Sequence, residues 1–152
     1  MQENASDIYF YRVSEAYGEF SNFYNRMIYI DGVGWRTTEH YFQAMKFTGS
    51  PAYMETIRMS NTARKAANLG RSRDYPLRED WEEVKDDVMY ECVKAKFSQH
   101  SDLKELLLST GSANIIEHTG KDAYWADGGD GSGKNMLGII LMRVRDELEE
   151  EA

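Results

Sequence analysis

The sequence predicts an α+β fold, a mostly helical single domain with a small antiparallel sheet. After Trp35, apolar residues recur at steps of three and four, which is typical of amphipathic helices. Before that point, short runs of β-branched and aromatic residues indicate strands. The chain has 152 residues, with no internal repeat and no linker-like segment. Its length suits one domain of roughly 100–200 residues.

Short strands are predicted near the N-terminus. Residues 8–11 (IYFY) and 27–30 (MIYI) are rich in β-branched and aromatic side chains. The Asp31-Gly32 pair that follows is typical of a tight hairpin turn. Residues 114–118 form a further candidate strand.

Caps and breakers predict three short helices in the first half of the chain. Thr37 or Thr38 caps the first, Pro51 opens the second, and Thr62 caps the third, which Gly70 ends. Their expected bounds are residues 39–47, 51–59 and 63–69.

Periodicity predicts three more helices, over about residues 80–100, 102–108 and 135–149. The first of these has one apolar stripe, formed by Trp81, Val84, Val88, Cys92 and Ala95. The last has an inward face formed by Leu137, Ile140, Leu141 and Val144.

Composition excludes several classes of protein. The net charge of −8 and the pI near 4.9 disfavour non-specific nucleic-acid binding, because phosphate contacts need a basic surface. The single cysteine, Cys92, excludes an intrachain disulfide framework. No apolar run approaches the ~18–20 residues that span a bilayer, and no signal-peptide core is present. We therefore expect a cytoplasmic protein without a membrane partner.

Common cofactor motifs are also missing from the sequence. It has no GxxxxGK[ST] phosphate loop, no dinucleotide fingerprint and no twelve-residue calcium loop. The three histidines lie far apart and form no HExxH pair. A metal site is therefore not expected.

Glu39 is the sharpest catalytic candidate, and two interpretations of it stay open. A glutamate in the first turn of a helix is favoured by the helix dipole alone. The functional interpretation is a carboxylate in an aromatic pocket, where desolvation suits it to acid–base or cation-stabilising work. Lys46 lies seven residues later on the same helix face and either pairs with Glu39, binds a substrate anion or is solvated.

A basic cluster and a long loop supply the other candidates. Arg71, Arg73 and Arg78 suit a phosphate or form a solvated turn, and Trp81 is a core residue or a ligand platform. The loop of residues 119–134 contains five glycines and three candidate site residues, Asp122, Trp125 and Asp127. The two aspartates either belong to the site or only form turns. Carboxylates, tryptophans and a basic rim together suit hydrolysis of an N-glycosidic bond.

At these residues the chain resembles the NADAR family, and in particular its YbiA-like branch. The resemblance covers about residues 8–148, so one such domain is expected over residues 1–152. Five ordered motifs carry it: YGEFSNF, TTEHYFQAMKF, LGRSRDYPLREDWEEVK, AKFSQH and EHTGKDAYWADGGDGSGKNMLGIILM.

The resemblance implies N-glycosidic hydrolysis without a metal or organic cofactor. The implied substrates are ribosylamino-pyrimidine 5′-phosphates of riboflavin biosynthesis, cleaved to ribose 5-phosphate and an aminopyrimidine, which disposes of unstable metabolites. An alternative is removal of ADP-ribose from guanine in nucleotides or DNA. A second alternative is a non-catalytic sensor of ADP-ribose or nucleotide. The oligomeric state is not readable from the sequence.

The resemblance also assigns residues. It implies catalytic roles for Glu39, Trp81, Asp122 and Asp127. Lys46, Trp125 and Asn135 match pocket positions of the family, and we expect substrate-binding roles for them and for Glu19, Asn22, Arg71, Arg73 and Arg78. Two positions depart from the family pattern, which more often has proline in place of Arg36 and commonly has glycine in place of Ala126. The added Cβ of Ala126 would disfavour a positive φ in the loop.

Overall fold

The computed structural model describes residues 6–152 and confirms the predicted fold class. The helices are α1 (Thr38–Ala44), α2 (Pro51–Met59), α3 (Ala63–Gly70), α4 (Trp81–Gln99), α5 (Ser101–Ser109) and α6 (Met136–Glu151). The strands are β1 (Ile8–Phe10), β2 (Ile28–Ile30), β3 (Val33–Trp35) and β4 (Ile115–Glu117). Short 3₁₀ turns cover Gly18–Phe20 and Met45–Phe47. No helix within residues 6–152 is long and apolar enough to cross a membrane.

The chain forms two compact units. The central unit is Asn22–Lys96, and the terminal unit joins residues 6–21 to Phe97–Ala152. The hairpin of β2 and β3 lies in the central unit, where Ile28 pairs with Trp35 across the antiparallel ladder. Asp31 and Gly32 both have positive φ, 52° and 79°, as a tight two-residue hairpin turn requires. The turn predicted from the Asp-Gly pair is confirmed.

The second strand pair was only partly predicted. In the terminal unit, β1 pairs with β4 in parallel, with Ile8 opposite Ile115 and Phe10 opposite Glu117. Both strands were expected, but only an antiparallel sheet was predicted. Parallel pairing needs a long crossover connection, and local turn signals cannot reveal one.

The terminal unit is built around α6 and β4. The predicted inward residues of α6 are all buried: Leu137, Ile140, Leu141 and Val144. Gly138 allows α6 to approach β4 closely, since a Cβ at this position would collide with the carbonyl oxygen of Ile115. Arg145, also buried, donates from Nη1 to the hydroxyl of Thr110 at 2.9 Å and to the carbonyl of Ala113 at 2.8 Å. These contacts fix the segment between α5 and β4.

In the central unit, α1 packs against both α2 and α3. Thr37 and Thr62 are the N-caps of α1 and α3, and each side chain accepts a backbone N–H of its own helix at 3.1 Å. Gly70 corrects a prediction, because it is the last residue of α3 and does not stop it as a left-handed cap. Because Gly70 has no Cβ, it instead leaves room for the side chain of Gln43.

The long helix α4 buries more than the predicted stripe. Trp81, Val88 and Cys92 are buried as expected, whereas Val84 and Ala95 are half-buried. A neighbouring row of the helix is buried as well, formed by Met89, Val93, Lys96 and Phe97. A single stripe therefore underestimated the buried face of this helix.

His40 is a buried structural residue of α1. Its Nε2 lies 3.0 Å from the carbonyl oxygen of Ser60, which can only accept, so Nε2 carries the proton. Its Nδ1 lies 2.7 Å from the hydroxyl of Thr37, which then donates to it. Burial lowers the pKa of His40, the bond to Ser60 opposes that shift, and Arg36 lowers the pKa further. His40 is therefore neutral in the folded protein near pH 7.

This arrangement predicts a loss of stability below the ordinary histidine pKa of 6.5. The unfolded chain takes up the proton first as the pH falls, so the free energy of unfolding decreases through that range. Urea titrations between about pH 7.5 and about pH 5.5 should show this slope in the wild type and in the control His100→Gln. The slope should be smaller in His40→Gln, and an equal slope in all three proteins would contradict the assignment.

Candidate active site

Glu39 lies in the first turn of α1 and is buried, with 8% of its surface exposed. Asn22 holds this end of the helix in place. Its carbonyl accepts the N–H of Glu39 at 3.2 Å, and its side-chain oxygen accepts the hydroxyl of Thr38 at 2.8 Å. The helix dipole favours a negative charge at this position. Both interpretations of Glu39 therefore describe part of its environment, since it is a helix N-terminal residue and a desolvated carboxylate.

Gln43 contacts Glu39 from one helical turn further along. Its Nε2 donates to Oε2 of Glu39 at 2.7 Å, and both side chains are buried. Side chains four residues apart lie on the same face of a helix. This contact was not predicted from the sequence, although the four-residue spacing between Glu39 and Gln43 indicates it.

Lys46 lies beside two aromatic rings. Its Nζ lies 5.7 Å from the ring centre of Phe42 and 6.0 Å from that of Trp81. These two rings meet edge to face at 5.1 Å. Burial lowers the pKa of Lys46, the charge of Glu39 raises it, and the charges of Arg73 and Arg71 lower it further. Lys46 is therefore a partly desolvated cation and not a solvated surface lysine.

Trp81 is 6% exposed at the start of α4, so its environment is that of a core residue. Its contacts with Phe42 and Lys46 nevertheless place it near Glu39. Glu39, Phe42, Lys46 and Trp81 are called the Glu39 cluster below. A role as a catalytic residue stays a prediction.

The three predicted phosphate-binding arginines differ in their partners. Arg78 forms two hydrogen bonds to the carboxylate of Asp80, at 2.7 and 3.1 Å. These bonds raise the pKa of Arg78 and lower that of Asp80. Arg71 and Arg73 are exposed and bond locally, Arg71 to Asn68 and Arg73 to the carbonyls of Gly70 and Ser72. The positive charges that act on the pKa of Lys46 are those of Arg73 and Arg71.

The other predicted residues lie in the terminal unit. Asp122 and Trp125 belong to the glycine-rich loop, where Oδ1 of Asp122 accepts the N–H groups of Tyr124 and Trp125, both at 2.8 Å. The ring of Trp125 is half-buried and meets that of Tyr124 edge to face. The carbonyls of Tyr124 and Trp125 accept N–H groups from Met136 and Leu137 at the start of α6. The loop is therefore ordered, as its tryptophan and tyrosine predicted.

Asp127 is the buried centre of this loop. Its Oδ1 accepts the N–H groups of Thr119 at 3.1 Å and Gly129 at 2.8 Å, and its Oδ2 lies 2.7 Å from Nδ1 of His118. Burial raises the pKa of Asp127, but the bonds from His118, Gly129 and Thr119 outweigh it, so the net shift is downward. Every contact described for this carboxylate holds the loop together.

Asn135 joins β4 to α6. It adopts the left-handed conformation, with φ of 54°, which asparagine tolerates better than most residues. Its Oδ1 accepts the N–H of Glu117 at 3.0 Å, and its Nδ2 donates to the carbonyl of Ile115 at 2.9 Å. These bonds give Asn135 a structural role, and its substrate-binding role stays a prediction. Glu19 lies half-buried in the first 3₁₀ turn, and its substrate-binding role also stays a prediction.

A cavity of about 710 Å³ lies in the terminal unit. Its walls include Tyr9, His118, Asp127 and Asn135. The pairing of His118 with Asp127 was not predicted from the sequence, where His118 was considered only as a metal ligand. Within residues 6–152, no group of three or more His, Cys, Asp or Glu side chains is placed to hold a metal ion.

The departure at Ala126 is accommodated by the backbone. Among residues 6–152, the positive-φ residues other than glycine are Tyr17, Asp31 and Asn135. Ala126 is fully buried and avoids that conformation, so its Cβ does not strain the loop. The other departure, Arg36, is exposed and acts on His40 through its charge.

Comparison with known proteins gives a consistent result. A family model of the NADAR domain matches residues 9–149. N-glycosidase YbiA of Shigella flexneri is 51% identical over 144 residues, which cover 95% of this chain and 89% of that protein. A riboflavin biosynthesis protein of Vibrio vulnificus is 43% identical over 145 residues, which cover 95% of this chain and 39% of that protein. The NMR structure of the Escherichia coli protein YbiA matches with a TM-score of 0.90 and 49% identity, covering 99% of this chain and 89% of that chain.

The contacts of Asp127 predict a measurable role in loop order. Asp127→Ala should accelerate amide hydrogen exchange at Thr119 and Gly129 by about tenfold or more, because both N–H groups lose their acceptor. The matched control is Asp130→Ala, which removes an exposed aspartate that bonds to Ser132. Unchanged exchange at both amides in Asp127→Ala, measured by NMR, would show that the carboxylate does not hold the loop.

Proposed function

We propose that this chain cleaves ribosylamino-pyrimidine 5′-phosphates of riboflavin biosynthesis. The chain belongs to the NADAR family and is a hydrolase of N-glycosyl compounds. The products are ribose 5-phosphate and a free aminopyrimidine. The observation that carries the proposal is the buried Glu39 carboxylate, which shares one cluster with the Lys46 cation and the ring of Trp81. The relative named as a riboflavin biosynthesis protein supports this choice of substrate.

Glu39 supplies the chemistry at C1′ of the ribose. Breaking the C1′–N bond leaves positive charge on C1′ and the ring oxygen, and an ionised carboxylate stabilises that charge. Water then adds to C1′, and the leaving amine gains a proton, so that one water molecule is consumed in each turnover. Burial strengthens the attraction between carboxylate and sugar cation, because less water screens it.

Lys46 and the nearby arginines supply the charge for the 5′-phosphate. Lys46 is partly desolvated, and Arg73 and Arg71 add positive potential at its ammonium group. A bound phosphate dianion relieves this repulsion and forms charge-assisted hydrogen bonds. Arg78 has a smaller share in this role, because its guanidinium already pairs with Asp80.

The flat base is proposed to stack on one of two tryptophans, Trp81 or Trp125. Trp81 lies in the Glu39 cluster, and Trp125 is half-buried in the loop of the terminal unit. The contributions of Asp122, Asp127 and Asn135 rest on the family resemblance and are proposed on that basis.

Replacing Glu39 should remove most of the activity. Glu39→Gln keeps the shape of the side chain but loses the charge, so kcat should fall by about 10²-fold or more. The assay uses 5-amino-6-ribosylaminouracil 5′-phosphate and measures ribose 5-phosphate, with the exposed Glu105→Gln as the matched control.

Three outcomes of this assay would count against the proposal. Near wild-type turnover in Glu39→Gln would contradict the role of this carboxylate. Wild-type activity on ADP-ribosylated guanine in DNA, without activity on the ribosylamine, would move the chain to the de-ADP-ribosylation alternative. Tight ligand binding without turnover of either substrate would favour the sensor.

The phosphate contacts predict a substrate-dependent loss of activity. Lys46→Met and Arg73→Ala should lower kcat/KM for the 5′-phosphorylated substrate by about tenfold or more, since each removes a charged partner. The same variants should cleave the dephosphorylated ribosylamine at the wild-type rate. Arg64→Ala, which replaces an exposed arginine of α3, is the control. Equal losses on both substrates would place the two side chains away from the phosphate.

A further inference from the structure

The amide of Gln43 is enclosed on two sides. On one side its Nε2 donates to Oε2 of Glu39 at 2.7 Å. On the other side it lies against Gly70 of α3, where a Cβ would collide with both Oε1 and Cδ of Gln43. Gly70 has no positive φ, so a glycine is needed here for space and not for backbone conformation.

Burying the amide of Gln43 costs free energy that a hydrophobic side chain would not cost. Within residues 6–152, Oε1 of Gln43 is buried and has no hydrogen-bond partner. Burying an unpaired amide oxygen is unfavourable, and a methionine of similar length would fill the same space without that penalty. A buried polar group that is not fully satisfied calls for an explanation, and one such explanation is a role in the function of the site.

We propose that Gln43 is a positioning residue, which holds the Glu39 carboxylate ionised and in one orientation, and that Gly70 fixes Gln43 in place. The inference rests on the proposed function, because it assigns a supporting residue to the proposed catalytic carboxylate. The amide N–H stabilises the charged form of Glu39.

This geometry favours one of two roles for Glu39. An amide N–H donated to a carboxylate stabilises the anion, and the anion is the form of Glu39 that acts as a cation stabiliser or a base. Two other titratable groups couple to its charge, Lys46 beside α1 and Cys92 of α4. Both residues are retained in variants of Gln43 and Gly70.

The first test reads the titration of Glu39 directly and needs no substrate. In protein labelled with ¹³C at the glutamate carboxyl carbons, the Glu39 signal is identified by its loss in Glu39→Gln. Gln43→Met removes the donor. Gly70→Ala adds a Cβ on the neighbouring helix α3, and this Cβ displaces the Gln43 amide. Each variant should raise the titration midpoint of Glu39 by about one pH unit or more.

The matched control for the second variant is Gly49→Ala. Gly49 also lacks a positive φ, and a Cβ there meets no atom within 4 Å, so the substitution should leave the Glu39 midpoint unchanged. Because Gly70→Ala retains Gln43, the test stands even if Gln43→Met does not fold. A Glu39 midpoint that equals the wild-type value in the folded variants would overturn the proposal.

A kinetic arm separates positioning from general packing. In Gln43→Met and Gly70→Ala, kcat for the ribosylamine 5′-phosphate should fall about tenfold or more, whereas KM should change little. The acid limb of the pH–kcat profile should also move to higher pH, which a packing defect alone would not cause. Normal kcat alongside a shifted midpoint would contradict the positioning role. A wild-type protein without activity on this substrate, but with the predicted midpoint shifts, would refute the proposed substrate and leave the Gln43–Glu39 bond established.

Discussion

A buried carboxylate at the start of a short helix is the constraint on which the central unit depends. Glu39 is desolvated, and an isolated buried charge is costly unless other groups stabilise it. The helix N-terminus, the amide of Gln43 and the charge of Lys46 all act in that direction. Asn22 anchors the same turn of backbone. The hydrogen bonds and packing around α1 therefore hold one negative charge at a defined position.

The terminal unit solves a different problem, which is how to order a long loop rich in glycine. Asp127 gathers backbone N–H groups and His118, while Asp122 closes a turn before Trp125. Asn135 then joins the end of the loop to β4. Side chains that the family resemblance assigns to substrate thus also hold the backbone. A change at any of them would affect loop order as well as activity, so kinetic data on these variants need a measurement of loop order beside them.

Local signals in the sequence predicted most of the fold. Caps such as Thr37, the Asp31-Gly32 turn and the apolar face of α6 were confirmed, because each depends on neighbouring residues only. The parallel pairing of β1 with β4 was not predicted, since it depends on two distant segments. The burial of Lys96 was also missed, because burial of a lysine depends on tertiary packing and not on helical periodicity.

The candidate site was predictable to a similar extent. The sequence placed Glu39 and Lys46 on one helix that continues to Phe47. The structure ends α1 at Ala44 and puts Lys46 in the 3₁₀ turn that follows, near Trp81 and within reach of the charge of Glu39. The pairing of Arg78 with Asp80 and the space that Gly70 leaves for Gln43 depend on atomic contacts that spacing does not encode. Residue types therefore indicated which side chains to expect in the cluster, and the structure supplied the contacts that hold it, whereas their catalytic roles stay predictions.

The central claim is that Glu39 stabilises positive charge on the ribose, and binding of a transition-state mimic tests it most directly. A cationic iminoribitol 5-phosphate imitates the charged sugar, whereas neutral ribitol 5-phosphate does not. Calorimetry should show that the cationic compound binds the wild type much more tightly than the neutral one, and that Glu39→Gln removes this difference. If both proteins show the same preference for the cationic compound, Glu39 is not the group that stabilises the charge.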